Sequence, residues 1–245
     1  MNLLKKRLDQ LVAERGLTPT RSQAESFIKM GEVKVNGKVV TKPGFLAADD
    51  AVIELTAKEQ YVSRAGLKLA SVAKILKLDF KDKVVLDVGS STGGFTDYAL
   101  KHGATKVIAV EVGTDQLHPN LHGNPQIELH EKTDIRDFKT KQKIDIVVGD
   151  VSFISLREIL PSVANLSTKQ TQIVAMVKPQ FEAGQSSLKH KGVIKNDKMR
   201  RDILKDFEVW AQTRFKIVDK ADSEVAGAKG NRERFYLLIK LNRLR

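Results

Sequence analysis

Cysteine is absent from the 245-residue chain. Its absence excludes disulfides, cysteine-based zinc sites and a thiolate nucleophile together, and it suits a cytoplasmic compartment. Histidine is scarce. His102, His118, His122, His130 and His190 show no metal-ligand spacing, and Pro119 between His118 and His122 disfavours a helical zinc pair. No metal is expected. No apolar run reaches the ~18 residues of a membrane span. The N-terminal stretch with Lys5, Lys6, Arg7 and Asp9 lacks the apolar core of a signal peptide, so no membrane partner is expected. Negative charge is also in short supply. Asp and Glu total 30 against 42 Lys and Arg, a net charge of +12, with a sequence pI near 9.7. That balance favours a polyanionic partner. The hydrophobic share of 41% is enough for packed cores, and the length fits a small domain followed by a medium one.

The patterning divides the chain at residue 60. In 1–60, Leu4, Leu8, Leu11 and Val12 recur at helical spacing and stop at Gly16. A second helix fits 20–30, with Thr20 as N-cap and Gly31 after its end. Asn36-Gly37 lies between short β-branched runs, a hairpin signal because both turn positions need positive φ. A last strand fits 51–55. The stretch Arg7-Leu8-Asp9 with Leu11, the helix start Arg21-Ser22-Gln23-Ala24 and Gly31-x-Val33-x-Val35-Asn36-Gly37 resemble the S4 RNA-binding domain. That resemblance implies an α+β module presenting cations to structured RNA. Lys5, Arg7, Arg21, Lys29 and Lys34 are the candidates here, holding phosphates and positioning the protein without reading bases.

Residues 61–245 alternate strand and helix. Strands fit 83–88, 106–112, 126–130, 144–149 and 171–177, and helices fit 95–101, 156–163 and 198–213. Such alternation implies an α/β, Rossmann-like parallel sheet covered on both faces. Segments 215–218 and 235–241 lack a clear helix between them, which predicts an antiparallel last strand. Residues 182–195 have few apolar side chains and read as a mobile loop. From 189 to 201 there are six cations (Lys189, Lys191, Lys195, Lys198, Arg200, Arg201) against Asp197, which suits an RNA path or a solvated face. Residues 57–60 form a short linker with little reach.

A Gly-rich turn, Asp87-Val88-Gly89-Ser90-Ser91-Thr92-Gly93-Gly94-Phe95, sits where a strand gives way to a helix, the ligand position of open sheets. A dinucleotide fingerprint would bring phosphate to the helix start. Here Asp87 at the strand end would repel phosphate and suits a cationic cofactor such as S-adenosylmethionine. Glu111 ends the next strand, 22 residues after Gly89, a spacing that suits acceptance of ribose hydroxyls. Asp134, after the third strand, is the candidate acceptor for an adenine amino group. Gly89, Ser91, Gly93, Gly94 and Phe95 complete the expected cofactor site.

Five stretches carry a closer resemblance: Tyr61-Val62-Ser63-Arg64-Ala65-Gly66-Leu67-Lys68-Leu69, 87–97, Asp150-Val151-Ser152-Phe153-Ile154-Ser155-Leu156, Val177-Lys178-Pro179-Gln180-Phe181-Glu182-Ala183-Gly184 and Lys229-Gly230-Asn231-Arg232-Glu233. Together they resemble the TlyA family, which joins an S4 domain to an FtsJ-like ribose 2′-O-methyltransferase domain and often bears the name hemolysin. The resemblance implies S-adenosylmethionine as cofactor, and ribosomal RNA or ribosomal subunits as partner. It also implies a catalytic tetrad, carried onto Lys68, Asp150, Lys178 and Glu233. Arg64, Lys189 and Lys191 join the RNA-binding candidates. The chemistry is coherent: a 2′-hydroxyl must lose its proton while it attacks, so Lys178 suits a developing alkoxide, with Lys68 as the neighbouring cation that favours a neutral, basic form. Read singly, Lys68 also borders the stripe Leu69, Val72, Ala73 and Leu76. Asp150 could cap the next helix, and Glu233 could pair with Arg232 or Arg234. The chain departs from the family pattern at Ala65-Gly66, at 189–193 and at Glu111-Val112-Gly113-Thr114, which bears on substrate closure and adenine packing. A weakly catalytic RNA-binding protein and a membrane-lysing protein are the alternative expectations.

Overall fold

A computed structural model of the chain describes residues 5–57, 60–183, 192–194, 196–227 and 230–241. The first element is β1 (Lys5–Arg7), which pairs antiparallel with β4 (Leu46–Ala48). Helix α1 (Leu8–Glu14) therefore starts later than the helical spacing predicts, and Leu4 lies outside the described residues. Three successive cations at a helix N-terminus would oppose its dipole. As a strand they stay exposed, and Lys6 reaches Glu14 at 3.1 Å and Asp49 at 3.4 Å.

Helix α2 (Arg21–Lys29) has the expected cap, with the Thr20 hydroxyl accepting from the Gln23 backbone N–H at 3.2 Å. The hairpin β2 (Val33–Val35) and β3 (Lys38–Val39) turns through Asn36 and Gly37 at φ 49° and 77°. The Asn36 side chain also accepts from Val52 N at 2.9 Å, which helps seat β5 (Ile53–Leu55) antiparallel on β2. Leu8, Leu11, Val12, Phe27 and Ile28 are fully or almost fully buried beneath this sheet. Each such side chain contributes about 1.5–3 kcal/mol.

This small core is continuous with the next one. Gln23 Nε2 donates to Tyr61 O at 2.8 Å, Val62 N donates to Asp97 Oδ2 at 2.9 Å, and Lys101 Nζ reaches Gln60 O at 2.6 Å. Residues 60–62 are thus fastened to both parts of the chain. Helix α3 (Arg64–Ala73) follows at once and packs on α4 (Gly94–Lys101). The approach is close at Gly66, where a Cβ would lie 2.5 Å from that of Tyr61.

The large sheet has seven strands in the order β11-β12-β10-β9-β6-β7-β8. Strands β6 (Val84–Val88), β7 (Lys106–Val110), β8 (Ile127–His130), β9 (Ile146–Gly149) and β10 (Gln172–Val177) run parallel. The strand order reverses direction between β6 and β9, the place where open sheets hold ligands. Period-two alternation divides the core. Val85, Val107 and Val148 face α3 and α4, whereas Leu86, Ile108 and Val147 face α5 (Leu156–Leu166) and α7 (Asp197–Gln212). The closing strand β12 (Arg234–Lys240) runs antiparallel between β10 and β11 (Phe215–Asp222), as expected. Strand β11 is longer than the sequence pattern suggests. Its second half is charged, Asp219-Lys220, and forms an exposed edge with a register shift between Ile217 and Asp219. The predicted loop over 182–195 falls mostly outside the described residues, and Glu182 belongs to the short helix α6 (Pro179–Glu182). Among the described residues no helix is long and apolar enough to cross a membrane.

Candidate active site

The turn after β6 and the carboxyl ends of β7 and β9 enclose a cavity of about 480 Å³. Gly89, Ser91, Glu111, Asp134 and Asp150 are among its lining residues. Gly89 has φ +76°, and a Cβ there would stand 3.1 Å from Asp150 O and 3.2 Å from Val151 Cγ1. Only glycine leaves that wall open. Glu111 is buried and oriented by two backbone donors, Ser91 N on Oε2 at 2.9 Å and Gly113 N on Oε1 at 2.8 Å. Each oxygen keeps acceptor capacity for a ligand hydroxyl.

Asp87 lies beneath the turn, 1% exposed. Its Oδ2 accepts from Thr96 Oγ1 at 2.7 Å, while Oδ1 is buried without a hydrogen-bond partner. Burial pushes its carboxyl up to about 7; the Thr96 hydrogen bond opposes this, and the nearby Asp150 and Glu111 charges add to it. A cation would relieve that site. Gly93 caps α4 at φ +84°. Phe95, expected at the cofactor, is buried with its ring 6.0 Å from that of Phe235. The apolar ring in the first turn of an amphipathic helix turns to the core, so it anchors α4 rather than lining the cavity. Gly94 serves the same packing, since a Cβ there would lie 2.8 Å from that of Ala65. Asp134 does reach the wall, but Arg136 grips both its oxygens, through Nε at 2.9 Å and Nη2 at 2.6 Å.

The four tetrad candidates form two ion pairs. Lys68 Nζ stands 2.5 Å from Glu233 Oε2, and Lys178 Nζ stands 2.5 Å from Asp150 Oδ1. Lys68, Lys178 and Glu233 are all at least nine-tenths buried. Each of these two ammonium groups thus has a carboxylate of its own. The alternatives for Glu233 and Asp150 fall away too. Arg232 pairs with Asp197 and Arg234 with Asp222. Helix α5 is capped by Ser155 and Glu182, the latter accepting from Ser155 Oγ at 2.6 Å and Leu156 N at 2.7 Å.

In the N-terminal part, Arg7 and Arg21 share one buried acid. Arg7 Nε and Nη2 donate to Asp9 at 3.0 and 2.9 Å, and Arg21 Nε donates at 2.9 Å. Both arginine side chains remain almost half exposed. Lys5 is exposed on β1, and Lys29 stands 3.9 Å from Glu25. Lys34 lies opposite Glu54 on the neighbouring strand, and Arg64 opens α3. Lys189, Lys191 and Lys195 lie outside the described residues. Arg200 is no surface cation: it is buried and donates to Asp222 and to Arg232 O. Its neighbours Lys198 and Arg201 are exposed.

Three residues near the site carry no individual signal in the sequence. Ser152 accepts from Lys178 Nζ at 2.8 Å. Phe153 is 92% exposed at φ +66°, with its ring 5.2 Å from that of Phe181. Asn231 joins two segments, its Oδ1 accepting from Ile194 N at 3.0 Å and its Nδ2 donating to Gly192 O at 2.9 Å. All three lie within or beside the stretches that carry the family resemblance, which mark the neighbourhood but not the roles.

A family model for FtsJ-like methyltransferases matches residues 61–240, and a model for the S4 domain matches residues 6–53. The 23S rRNA (cytidine-2′-O)-methyltransferase TlyA of Campylobacter jejuni is 37% identical over 96% of this chain and 99% of its own length. Hemolysin A of Brachyspira hyodysenteriae is 38% identical over 93% of this chain and 97% of its own. Among solved structures, a provisionally assigned hemolysin from Streptococcus thermophilus is similar with a TM-score of 0.72 and 35% identity, covering 98% of this chain and 90% of that one.

Proposed function

The chain belongs to the TlyA family of FtsJ-like methyltransferases with an S4 domain, and from that premise we propose that it methylates a ribose 2′-hydroxyl of ribosomal RNA using S-adenosylmethionine. Residues 1–60 would engage RNA and residues 61–245 would perform the transfer. The observation that carries the reading is the pair of buried ion pairs, Lys68–Glu233 and Lys178–Asp150, with Asp150 also lining the acid-walled cavity.

The residues present fit the cofactor. Asp87 Oδ1 is an orphaned buried acceptor where a cationic amino group is wanted. Glu111 is held by two backbone donors with lone pairs left for ribose hydroxyls. Gly89 keeps open a wall that any side chain would close. Ser91, Gly93 and Gly94 shape the turn, and Phe95 holds its helix. Asp134 would take an adenine amino group through the acceptor capacity that Arg136 leaves. When bound, the cofactor would supply a methyl group on a sulfonium, whose leaving group is a neutral thioether that needs no acid assistance.

The chain's own part is positioning and charge. Lys178 would hold the attacking ribose oxygen and stabilise its developing negative charge while the hydroxyl proton passes to water. Asp150 fixes Lys178, and Glu233 fixes Lys68. Arg7 and Arg21, set on Asp9, with Lys5, Lys29, Lys34 and Arg64, would hold RNA phosphates. The test is transfer of labelled methyl from S-adenosylmethionine to ribosomal subunits, with resistance of the product to alkaline cleavage as the sign of a 2′-O-methyl. Label on ribose that disappears in Lys178→Ala is expected. Label on a base, or none with cofactor binding intact, overturns the reading and favours a binding-only protein.

A further inference from the structure

Resting on that reading, we propose that Ser152 is a positioning residue for Lys178, and that its hydroxyl sets the direction in which the lysine presents its free N–H. Lys178 ends β10, and its ammonium stands 2.5 Å from Asp150 Oδ1 and donates to Ser152 Oγ at 2.8 Å. The ammonium also lies over the ring of Phe181, 5.8 Å from its centroid. An ammonium has three N–H donors. Ser152 takes one, Asp150 holds the ammonium as its counter-ion, and no other acceptor for it stands among the described residues.

One ion pair does not orient a lysine head. The ammonium is a compact charge on a flexible stem, and a carboxylate accepts from many directions. Two acceptors at different places do orient it, because they remove rotation about the Nζ–Asp150 line. Asp150 and Ser152 are two residues apart after β9, so one short segment supplies both. Ser152 adds direction without adding charge, which a second carboxylate would not. It is exposed, and it lines the same cavity as Asp150. The donor capacity that Ser152 does not take is thereby left for the attacking ribose oxygen. A hydroxyl that accepts from an ammonium must also turn its own hydrogen away from it.

The test uses the full-length protein with Ser152→Ala and Ser152→Thr. Three quantities are read: kcat and KM for transfer to ribosomal subunits, calorimetric affinity for S-adenosylhomocysteine, and the Lys178 ammonium signal in protein labelled with ¹⁵N-lysine, assigned through Lys178→Arg. The alanine variant is expected to lose about 10- to 100-fold in kcat, the worth of one hydrogen bond to a charged group. Its KM and its S-adenosylhomocysteine affinity are expected to stay unchanged, and its ammonium signal to broaden by faster exchange with water. Threonine keeps the hydroxyl and should restore both kcat and signal. A native kcat in Ser152→Ala overturns the proposal. So does loss of S-adenosylhomocysteine affinity along with kcat, which would place Ser152 in the cofactor site. A threonine variant with a native-like ammonium signal but no recovered kcat overturns it as well. If the native protein transfers no methyl to ribosomes, the functional reading fails by itself. The ammonium signal then decides: loss in Ser152→Ala supports the hold of Ser152 on Lys178, and persistence overturns it.

Discussion

Replacing Asp87 by asparagine should stabilise the protein while weakening its cofactor site. Asp87 is buried, one oxygen lacks a partner, and its carboxyl is pushed up from the ordinary 3.8 to about 7, first by burial and then by Asp150 and Glu111, against the Thr96 hydrogen bond. A carboxyl raised on folding contributes stability that is complete below the unfolded value. That contribution is lost as pH rises to the folded value, and it is flat above it. From 3.8 to about 7 the loss amounts to about 4 kcal/mol. Asparagine cannot ionise. Its carbonyl can still accept from Thr96, but its amide adds buried donors without partners, at about 1–3 kcal/mol. At pH 5 the variant should therefore be no more stable than the native protein. Between pH 5 and pH 8 the difference should move in its favour by about 3 kcal/mol, or about 6–12 °C in Tm for a chain of this size. Thermal unfolding without cofactor across that range is the assay. Calorimetry should show S-adenosylmethionine binding the variant more weakly. Native affinity should rise up to about pH 7 and then level off, because the cationic ligand selects the ionised form. A stability difference that does not change with pH would refute the reasoning, since Asp87 would then be ionised throughout.

Two further outcomes are expected. Glu111→Ala removes a carboxylate that Ser91 N and Gly113 N hold in place, and it should cost about 10- to 100-fold in S-adenosylmethionine affinity, for lost hydrogen bonds to a charged acceptor; calorimetric affinity equal to native would remove Glu111 from the ribose site. Asp9→Asn leaves Arg7 and Arg21 without their shared counter-charge. Because both arginines are half exposed, the stability loss should be only about 1–3 kcal/mol. Filter binding should nevertheless show weaker affinity for ribosomal RNA, with S-adenosylmethionine affinity unaltered. Equal RNA affinity would assign Asp9 to folding alone.

The sequence made the parallel strands β6, β7, β9 and β10 legible because each is a short, mostly buried apolar run closed by glycine or a charged turn. It also revealed the Thr20 cap and the Asn36-Gly37 hairpin, whose chemistry is local. It misjudged elements whose state depends on a distant partner. Lys5–Arg7 is extended because Leu46–Ala48 offers backbone partners. Residues 219–222 remain strand because β12 extends alongside them. Phe95 adjoins the Gly-rich turn in sequence, but helix phase, not that proximity, decides that its ring faces Phe235. Arg200 sits in a run of cations and yet is buried, because Asp222 and the Arg232 carbonyl await it.

The tetrad candidates share one sheet edge for a reason of register. Strand β10 ends at Val177 opposite Arg234, so the next residue on each chain, Lys178 leaving β10 and Glu233 entering β12, arrives at the same edge. Strands β9 and β10 pair in parallel, with Ala175 beside Gly149, which brings Asp150 to that edge too. Only an antiparallel β12 does this. In a parallel last strand, the residue before its first pair would lie at the opposite edge of the sheet, and Lys68 on α3 would lose its carboxylate. The antiparallel closure that the sequence hinted at, through a missing helix between the last two strands, is thus what lets each buried lysine have a separate acid. Charge balance explains why this matters. Two buried ammonium groups sharing one acid would leave an uncompensated charge in the site, which is strongly destabilising. With two pairs these four side chains balance in charge before substrate arrives, and the Lys178 donor capacity without a partner among the described residues would serve the developing negative charge of the proposed transfer.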